Sequence, residues 1–259
     1  MSIIDVNSCA FNVEVEGPVN APALMLCTSL AANLHMWDPE TPGWAKEFRV
    51  IRYDRRGHGK SAAPKGPYSI EMLGRDALAI LDSLGVKRFI WCGLSLGGMV
   101  GMWLGANASD RVEKLILSNT RAYYPEKGGY EDRIKGVREN GLAPLADGNM
   151  ERWFTKDFRE KNPETVAATR AAFLETSVEG YVGCLAAIRD MDHREILGRI
   201  TAPTLVIAGK QDIATPPEVN EYVRSRIPGA TMTVFDTAHL SNIEEPIAYT
   251  AEVLKFLRR

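Results

Sequence analysis

The stretch that most constrains the fold of this chain is Phe89–Met99. It begins as an uninterrupted apolar run, passes through the pattern G-x-S-x-G between Gly93 and Gly97, and continues into a helix-like segment. In this pattern a serine occupies a strained corner between a strand and a helix, and its hydroxyl projects from the backbone. Glycines flank the corner because a Cβ would collide with the neighbouring strand or helix. The sequence therefore predicts that Ser95 stands at such a corner.

Apolar strand-like runs alternate with helical segments along most of the chain, which predicts a mostly parallel sheet with helices on both faces. Residues 1–16 alternate apolar and polar side chains, as expected for an antiparallel hairpin at a sheet edge. Further strands are expected at Ala23–Cys27, Arg49–Tyr53, the run before Ser95, Val112–Leu117, residues 203–208 and residues 230–235. Together these segments predict an eight-stranded sheet in an α/β fold.

The alternation breaks between residues 121 and 199, where the sequence shows helical patterns and no convincing strand. Helix caps and stops are predicted there at Gly141, Asp147-Gly148, Asn162-Pro163 and Ser177. Strand–helix alternation then resumes, and a last helix is expected from Ile243 to Leu257. We therefore expect a core formed by residues 1–120 and 200–259, with residues 121–199 inserted as a helical lid.

Composition narrows the function classes. The 259 residues carry a formal net charge of −2, so no basic excess favours binding to nucleic acid or to an acidic membrane surface. The uncharged run Phe89–Ala108 is long enough to span a membrane, but its glycines and its serine turn divide it into a strand and a helix. We expect neither a nucleic-acid partner nor a membrane partner.

The cysteines and the N-terminus indicate a cytoplasmic protein. The four cysteines form no CxxC pair and are expected to be buried reduced thiols. The N-terminus lacks the basic-then-apolar pattern of a signal peptide. There is no H-E-x-x-H, no histidine cluster and no P-loop, so neither a metal nor a cofactor is expected.

A serine nucleophile needs an imidazole base and a group that orients the base. His239 follows the last predicted strand, and Asp212 follows the strand near residues 203–208 by a short loop. Sites in open α/β sheets form at the carboxyl ends of strands, where Ser95 also lies. The chain order serine, aspartate, histidine is the order of the α/β-hydrolase arrangement. Asp236 is a rival carboxylate, but it is too near His239 along the chain to approach the far ring nitrogen easily.

The remaining polar groups receive structural interpretations. His58 and Asp54 are expected to stabilise the glycine-rich turn in which they lie. His193 is expected on the solvated surface of the helical insertion. An oxyanion hole needs two amides, for which we expect the backbone N–H of Leu96 and, from the loop Ser29–Ala31, that of Leu30.

With these residues in place, the sequence resembles the α/β-hydrolase superfamily over essentially its whole length. The marks are Arg56-Gly57-His58-Gly59-x-Ser61, Gly93-x-Ser95-x-Gly97-Gly98 and His239 with Glu244 and Pro246 downstream.

More specifically, the sequence resembles 3-oxoadipate enol-lactone hydrolases of aromatic catabolism. Among the supporting stretches are Leu34-His35-Met36-Trp37, Arg152-Trp153-Phe154-Thr155, Ala187-Ile188-Arg189-Asp190-Met191-Asp192 and Ala238-His239-Leu240-Ser241-Asn242. The resemblance implies a cofactor-free hydrolysis of a carboxylated enol-lactone through an acyl-enzyme on Ser95. It also implies a cation for the substrate carboxylate, for which Arg152 and Arg121 are candidates, while Trp153 is a candidate for a pocket wall.

The sequence departs from that family pattern at four positions. The family usually has glycine where Ala31 stands and methionine where Leu96 stands, and we expect uncharged or small residues at Arg55 and Arg121. The triad is intact, but these departures leave the exact substrate open. A general carboxylesterase, a carbon–carbon bond hydrolase and a cofactor-free haloperoxidase of the same fold are alternatives, as is a non-catalytic ligand receptor. The sequence does not decide between a monomer and a homodimer.

Overall fold

The computed structural model describes residues 2–259 and places a single mixed sheet at the centre. Its strands are β1 (Ser2–Val6), β2 (Cys9–Glu16), β3 (Ala23–Cys27), β4 (Arg49–Tyr53), β5 (Phe89–Leu94), β6 (Val112–Ser118), β7 (Thr204–Gly209) and β8 (Thr231–Phe235). The spatial order is β1-β2-β4-β3-β5-β6-β7-β8. The hairpin β1–β2 is antiparallel and joins β4 in antiparallel register, whereas all later neighbours are parallel. The predicted eight-stranded α/β fold is confirmed.

Helices cover both faces of the sheet, as the alternating pattern predicts. They are α1 (Thr41–Trp44), α2 (Ile70–Ser83), α3 (Leu96–Asn107), α4 (Gly128–Asn140), α5 (Ala146–Trp153), α6 (Lys156–Lys161), α7 (Pro163–Glu175), α8 (Val178–Asp190), α9 (Pro217–Arg226), α10 (Ser241–Glu244) and α11 (Pro246–Leu257). Apolar residues of α2, α3 and α9 form one buried layer with the sheet. Residues of α1 and α11 form the other layer, which continues into the helices between β6 and β7.

The central strands are buried along their whole length because they are covered on both faces. Every residue of β3, β5 and β7 is buried, which accounts for their continuous apolar sequence. The run Phe89–Ala108 is β5 followed by α3, and the turn between the two holds Ser95. Among the described residues no single helix is long and apolar enough to cross a bilayer, and one bent pair, α7 with α8, meets the criterion by length and composition only.

The segment between β6 and β7 consists of helices α4 to α8 with short 3₁₀ turns, and the only pairing of strand type described in it is an isolated bridge between Tyr123 and Asp192. The division of the chain into a core and a lid at residues 121 and 199 stays a prediction. Gly141 ends α4 with a φ of 70°, Asn162-Pro163 opens α7, and Ser177 caps α8 by accepting from the N–H of Gly180.

Two predicted helix boundaries are wrong. Asp147-Gly148 is not a stop but lies in the first turn of α5, where an aspartate is favourable beside the positive end of the helix. The last helix does not run unbroken from Ile243 to Leu257. It is divided at Glu245 into α10 and α11, because Pro246 has no N–H to continue the first helix but fits the first position of the next.

Candidate active site

Ser95 occupies a sharp turn between β5 and α3. Its backbone has φ 56° and ψ −113°, a conformation that is sparsely populated for a residue with a side chain and that concentrates at functional sites. Its N–H donates to Ser118 O at 2.8 Å. A Cβ on Gly93 would lie 2.2 Å from Gly97 O, and one on Gly97 would lie 2.3 Å from Cys27 O. The glycines of the pattern therefore permit the close approach that holds the corner.

Asp212 and His239 meet beyond the carboxyl ends of β7 and β8. His239 Nδ1 lies 2.8 Å from Asp212 Oδ2, and both side chains are almost completely buried. Since a carboxylate only accepts, Nδ1 carries the proton and donates it, and Nε2 is the free ring nitrogen. Asp236, the rival carboxylate, is exposed and accepts from Gln211 Nε2 at 3.0 Å. The carboxylate beside the histidine is thus Asp212.

The Asp212 carboxylate is surrounded by donors. Its Oδ1 accepts from the N–H groups of Ala214 and Thr215 at 2.8 and 2.9 Å. Its Oδ2 accepts from Thr215 Oγ1 at 2.6 Å and from Asn119 Nδ2 at 3.1 Å, in addition to His239. Burial alone would raise the pKa of Asp212, but the charge of His239 and the hydrogen bonds from His239 and Thr215 hold it well below its usual range. Asp212 is therefore an anion that fixes the orientation of the imidazole.

Asn119 and Thr215 are site residues that the sequence patterns did not reveal. Asn119 follows β6 directly, so the rule that sites form at strand carboxyl ends could have found it. Its backbone has a φ of 46°, and its side chain also donates to Ala238 O at 3.2 Å. Asn119 thereby ties the aspartate loop to the histidine loop.

Two backbone amides near Ser95 have no acceptor. Among the hydrogen bonds of residues 2–259, none uses the N–H of Leu30 or the N–H of Leu96. Leu96 is the first residue of α3, where the helix leaves its amides unpaired and its dipole favours negative charge. Leu30 lies in the loop after β3 and lines the same cavity as Ser95. These are the two amides expected for an oxyanion hole, and that role stays a proposal.

His58 holds the loop after β3 in place. Its Nε2 accepts from the N–H of Ala31 at 3.0 Å, and Nδ1 lies 3.2 Å from Arg56 O. Ala31 has a φ of 60°, a backbone conformation that favours glycine over a residue with a Cβ. Burial, and then the charge of Arg55, lower the pKa of His58 to about 3. His58 is thus a neutral ring with a fixed tautomer, and its contacts agree with the structural role expected for it.

A cavity of about 250 Å³ lies above Ser95. Its sheet side is formed by residues of the loops at the strand ends: Ser29, Leu30, Ser95, Ile213, Ala214 and His239. Its insertion side is formed by residues between β6 and β7: Tyr124, Tyr130, Arg133, Asn149, Arg152, Trp153, Phe173, Tyr181, Leu185 and Ile188. Ser95 and His239 thus line one cavity, although no hydrogen bond joins their side chains among the described residues. Catalytic contacts of this kind often tighten only when a ligand is bound.

The insertion side carries two arginines without a carboxylate partner. Arg152 donates to Asn149 Oδ1 at 2.8 Å, and Arg133 reaches the same oxygen at 3.5 Å. Neither takes part in an ion pair among the described residues. Burial and the charge of Arg133 lower the pKa of Arg152. In addition, the Nε of Arg133 and the hydroxyl of Tyr181 are buried without a hydrogen-bond partner. This side of the cavity is therefore suited to an anion.

The three substrate-contact candidates have different outcomes. Arg152 and Trp153 line the cavity, and Trp153 packs edge-on against Phe173 at 5.7 Å between ring centroids. Arg121 is not among the lining residues, because its Nε donates to Tyr123 O and its guanidinium lies over the Tyr124 ring at 4.2 Å from the centroid. Arg133, which was not expected from the sequence, takes the place predicted for Arg121. No pattern in α4 distinguishes it from other helical arginines.

His193 is buried rather than solvated, which corrects the sequence expectation. It follows the short bridge that joins Tyr123 to Asp192, and its N–H donates to Ala122 O at 2.8 Å. Burial lowers its pKa to about 4. All four cysteines are buried and free, as predicted. Within residues 2–259 no group of three or more potential ligand side chains could hold a metal ion.

Comparison with known proteins places this geometry in a family. Residues 22–246 match the profile of the alpha/beta hydrolase fold family. The chain is 38% identical to 3-oxoadipate enol-lactonase 2 of Acinetobacter baylyi over 250 residues, which cover 96% of this chain and 94% of that protein. It superposes on the crystal structure of the enol-lactonase from Burkholderia xenovorans with a TM-score of 0.98 and 39% identity over the whole of both chains.

A third relative widens the chemistry of the group. A thermophilic esterase from Thermogutta terrifontis superposes with a TM-score of 0.93 at 26% identity, covering 99% of this chain and 97% of that one. The sheet, the serine corner and these relatives agree, and the chain belongs to the alpha/beta hydrolase fold family.

Proposed function

We propose that this chain is a serine hydrolase that opens a small carboxylated enol-lactone, as expected for 3-oxoadipate enol-lactone, through an acyl-enzyme on Ser95. The observation that carries the proposal is the buried contact of 2.8 Å between His239 Nδ1 and Asp212 Oδ2, in a cavity that His239 shares with Ser95. This contact leaves His239 Nε2 as the base for the serine hydroxyl. The enol-lactonases of A. baylyi and B. xenovorans, similar over nearly the whole chain, support the choice of a lactone.

The proposed reaction begins at Ser95. Ser95 Oγ attacks the lactone carbonyl while His239 Nε2 takes its proton. The carbonyl electrons move to oxygen, and the amides of Leu30 and Leu96 donate to that oxyanion, each contributing about 3 kcal/mol to the transition state. When the intermediate collapses, the ring C–O bond breaks, and the leaving enolate takes the proton that His239 Nε2 received from Ser95 and becomes the ketone. Water activated by His239 then hydrolyses the acyl-serine and releases the open-chain acid.

The insertion side of the cavity supports the choice of a carboxylated substrate. Arg133 and Arg152 form no ion pair with an acidic side chain of residues 2–259, and an entering carboxylate would supply the missing partner. The cavity volume of about 250 Å³ is small, below the usual range for drug-sized ligands. Small acids are therefore favoured over long-chain esters.

The test is hydrolysis of 3-oxoadipate enol-lactone by the wild type and by Ser95→Ala, with Ser225→Ala as the matched control. Ser225 is an exposed serine on α9 and is not among the residues that line the cavity. A fluorophosphonate probe should label the wild type and Ser225→Ala but not Ser95→Ala, with mass spectrometry placing the label on Ser95. Equal hydrolysis by the wild type and Ser95→Ala would refute the mechanism.

A second candidate is an esterase for small carboxylated open-chain esters. It uses the same residues, and the esterase from T. terrifontis, related at 26% identity, favours it over a carbon–carbon bond hydrolase or a haloperoxidase. Comparison of kcat/KM for the enol-lactone with that for a monoester of a dicarboxylic acid separates the lactonase from the esterase. A higher value for the monoester would assign the chain to ester substrates. Absence of turnover on both substrates would favour a ligand receptor.

A further inference from the structure

Arg55 is a buried cation beside the proposed oxyanion hole, and it has no acidic partner. The side chain is almost completely inaccessible, and none of the ion pairs among residues 2–259 includes it. Its neighbour Arg56, by contrast, is paired with Asp76 through two contacts of 2.6 and 2.7 Å. An arginine stays charged in a protein interior, and an unpaired buried charge is strongly unfavourable. The buried Arg55 cation must therefore be stabilised by polar contacts other than an ion pair.

The guanidinium is bound to two carbonyls of the loop after β3. Its two terminal nitrogens donate to Thr28 O and to Ser29 O, each at 2.5 Å. Ser29 O belongs to the same peptide unit as the N–H of Leu30. A hydrogen bond from a cation to the carbonyl of a peptide polarises that peptide and strengthens its N–H as a donor. Arg55 therefore acts on the Leu30 amide without touching the substrate.

The second carbonyl connects the two amides of the hole. Thr28 O accepts from Arg55 and also from the N–H of Gly97 at 3.1 Å. Gly97 is in the first turn of α3, directly after Leu96. One guanidinium thus organises the Leu30 side of the hole directly and reaches the Leu96 side through a single shared carbonyl.

The charge of Arg55 acts across this loop on another group as well. His58 accepts from Ala31 N–H on the same loop, and burial together with the Arg55 charge depresses the pKa of its ring. A field that opposes a positive charge on one side of the loop favours a negative charge on the other side. The oxyanion of the tetrahedral intermediate is such a negative charge.

We infer that Arg55 is a positioning residue for the oxyanion hole. It polarises the Ser29–Leu30 peptide and thereby stabilises the tetrahedral oxyanion more than the bound ground state. This inference rests on the proposed function. It predicts that loss of Arg55 lowers kcat rather than substrate affinity, because the lactone carbonyl carries little negative charge before attack.

The test uses trifluorolevulinate, a carboxylated trifluoromethyl ketone, as a probe with an isotopically labelled carbonyl carbon. Ser95 Oγ adds to this carbon, the carbonyl electrons pass to oxygen, and the serine proton passes to His239, giving a hemiketal oxyanion. Carbon NMR against pH then reports the pKa of the hemiketal oxygen in the hole. In Arg55→Met this pKa should rise by about one unit, equivalent to a tenfold loss of preference for the anion.

The kinetic readout accompanies the NMR measurement. Arg55→Met should lower kcat by about 10- to 100-fold, as for weakening one donor of an oxyanion hole, and change KM by less than about threefold. Arg55→Lys keeps the charge but not the planar fork, so it should recover part of kcat and supplies the measurement if the methionine variant does not fold. Arg52→Met is the control, since Arg52 lies on β4 and pairs with Glu14, Glu16 and Asp38 instead.

The outcomes separate this inference from the proposed function. If the wild type forms no adduct at Ser95, the serine mechanism fails. If an adduct forms and its pKa is the same in the wild type, Arg55→Met and Arg55→Lys, Arg55 has only a structural role and the inference is wrong. Parallel losses of kcat, of affinity for unfluorinated levulinate and of thermal stability would contradict it in the same way.

Discussion

The two sides of the cavity satisfy their polar groups in opposite ways. On the sheet side, the Asp212 carboxylate accepts five hydrogen bonds and His239 is locked by one of them. On the insertion side, two arginines share one amide oxygen, and a buried tyrosine hydroxyl has no hydrogen-bond partner within residues 2–259. The complete pairing of the Asp212 carboxylate gives a rigid arrangement suited to chemistry, whereas the incomplete pairing of the two arginines leaves binding capacity for a ligand. In the proposed function, the sheet side carries out the reaction and the insertion side selects the substrate.

The two sides are joined at a few points. Leu240 N–H donates to Trp153 O at 3.1 Å, one residue after the catalytic histidine candidate. The Glu244 carboxylate accepts from Ala238 N–H at 2.7 Å and from Thr155 N–H and Oγ1 at 3.2 and 2.7 Å. Movement of the helices between β6 and β7 would therefore be transmitted to the histidine loop through these contacts.

The largest effect is expected at the most completely paired group. Asp212→Asn should lower kcat by about ten-thousand-fold, because an amide in place of the carboxylate no longer holds the imidazole in the required tautomer. Steady-state kinetics on the enol-lactone, with circular dichroism to confirm folding, measure this effect. Asp236→Asn, the exposed neighbour, should stay within about twofold of the wild type. A comparable loss in both variants would remove Asp212 from its role.

The next effect concerns the unpaired cations. Arg133→Met and Arg152→Met should each lower kcat/KM for the carboxylated lactone by about 10- to 150-fold, mainly through KM, because each removes a hydrogen bond to a charged group worth about 1.5–3 kcal/mol. Substrate saturation curves measure it. Arg138→Met, an exposed arginine on the same helix as Arg133, is the control. Unchanged KM in both cavity variants would mean that the arginines do not face the substrate.

The buried neutral histidines set a pH dependence of stability. The pKa of His58 is about 3 and that of His193 about 4 in the folded protein. Between these values and about pH 6.5, both rings therefore bind a proton in the unfolded chain but not in the folded protein. The unfolded state then holds more protons, and the free energy of unfolding should fall by about 2 kcal/mol per histidine at about pH 5. The lowered pKa of Asp212 contributes stability that is lost in a separate pH range, below about pH 4.

Urea unfolding at about pH 7.5 and about pH 5 checks this prediction. In His58→Gln the loss between the two pH values should shrink by about 2 kcal/mol, whereas in His35→Asn, which changes an exposed histidine, it should not change. The same pH dependence in the wild type and in His58→Gln would show that the ring is not held neutral.

The smallest effect is expected at the joint between the two sides. Glu244→Gln keeps the shape but loses acceptor capacity, so the free energy of unfolding should fall by about 1 kcal/mol with kcat changed less than about threefold. Glu245→Gln, which alters an exposed carboxylate, serves as the control in urea unfolding. If kcat fell by orders of magnitude instead, Glu244 would belong to the reacting site and the separation of the two sides would not hold.

The sequence predicted the sheet side better than the insertion side for a physical reason. Ser95, Asp212 and His239 each follow a strand of a parallel sheet, and strand order alone brings their ends to one edge. Asn119 obeys the same rule and could have been found by it. Arg133 and Arg121 lie instead in a segment of helices and loops, where packing between elements decides which side chain faces the cavity, and no local pattern records that packing.

The wrong predictions for His193 and Asp147-Gly148 have the same physical cause, which is packing between distant segments. His193 is buried next to the bridge between Tyr123 and Asp192, which joins residues far apart in the chain. Asp147-Gly148 resembles a helix stop, yet the segment continues as a helix against α7. The contacts of Arg55 with Thr28 and Ser29 likewise join residues far apart in the chain. Local sequence rules locate strand ends and caps, but they do not show which polar groups tertiary packing brings together.

The most direct test of the division between the two sides is a selectivity ratio. It compares kcat/KM for the carboxylated enol-lactone with that for its neutral carboxamide analogue, in the wild type and in the double variant Arg133→Met/Arg152→Met. We predict a wild-type preference for the carboxylate of about a hundredfold. In the double variant the ratio should fall to near unity, with turnover of the carboxamide kept within about threefold. A wild-type ratio near unity, or an equal loss on both substrates in the double variant, would contradict the division.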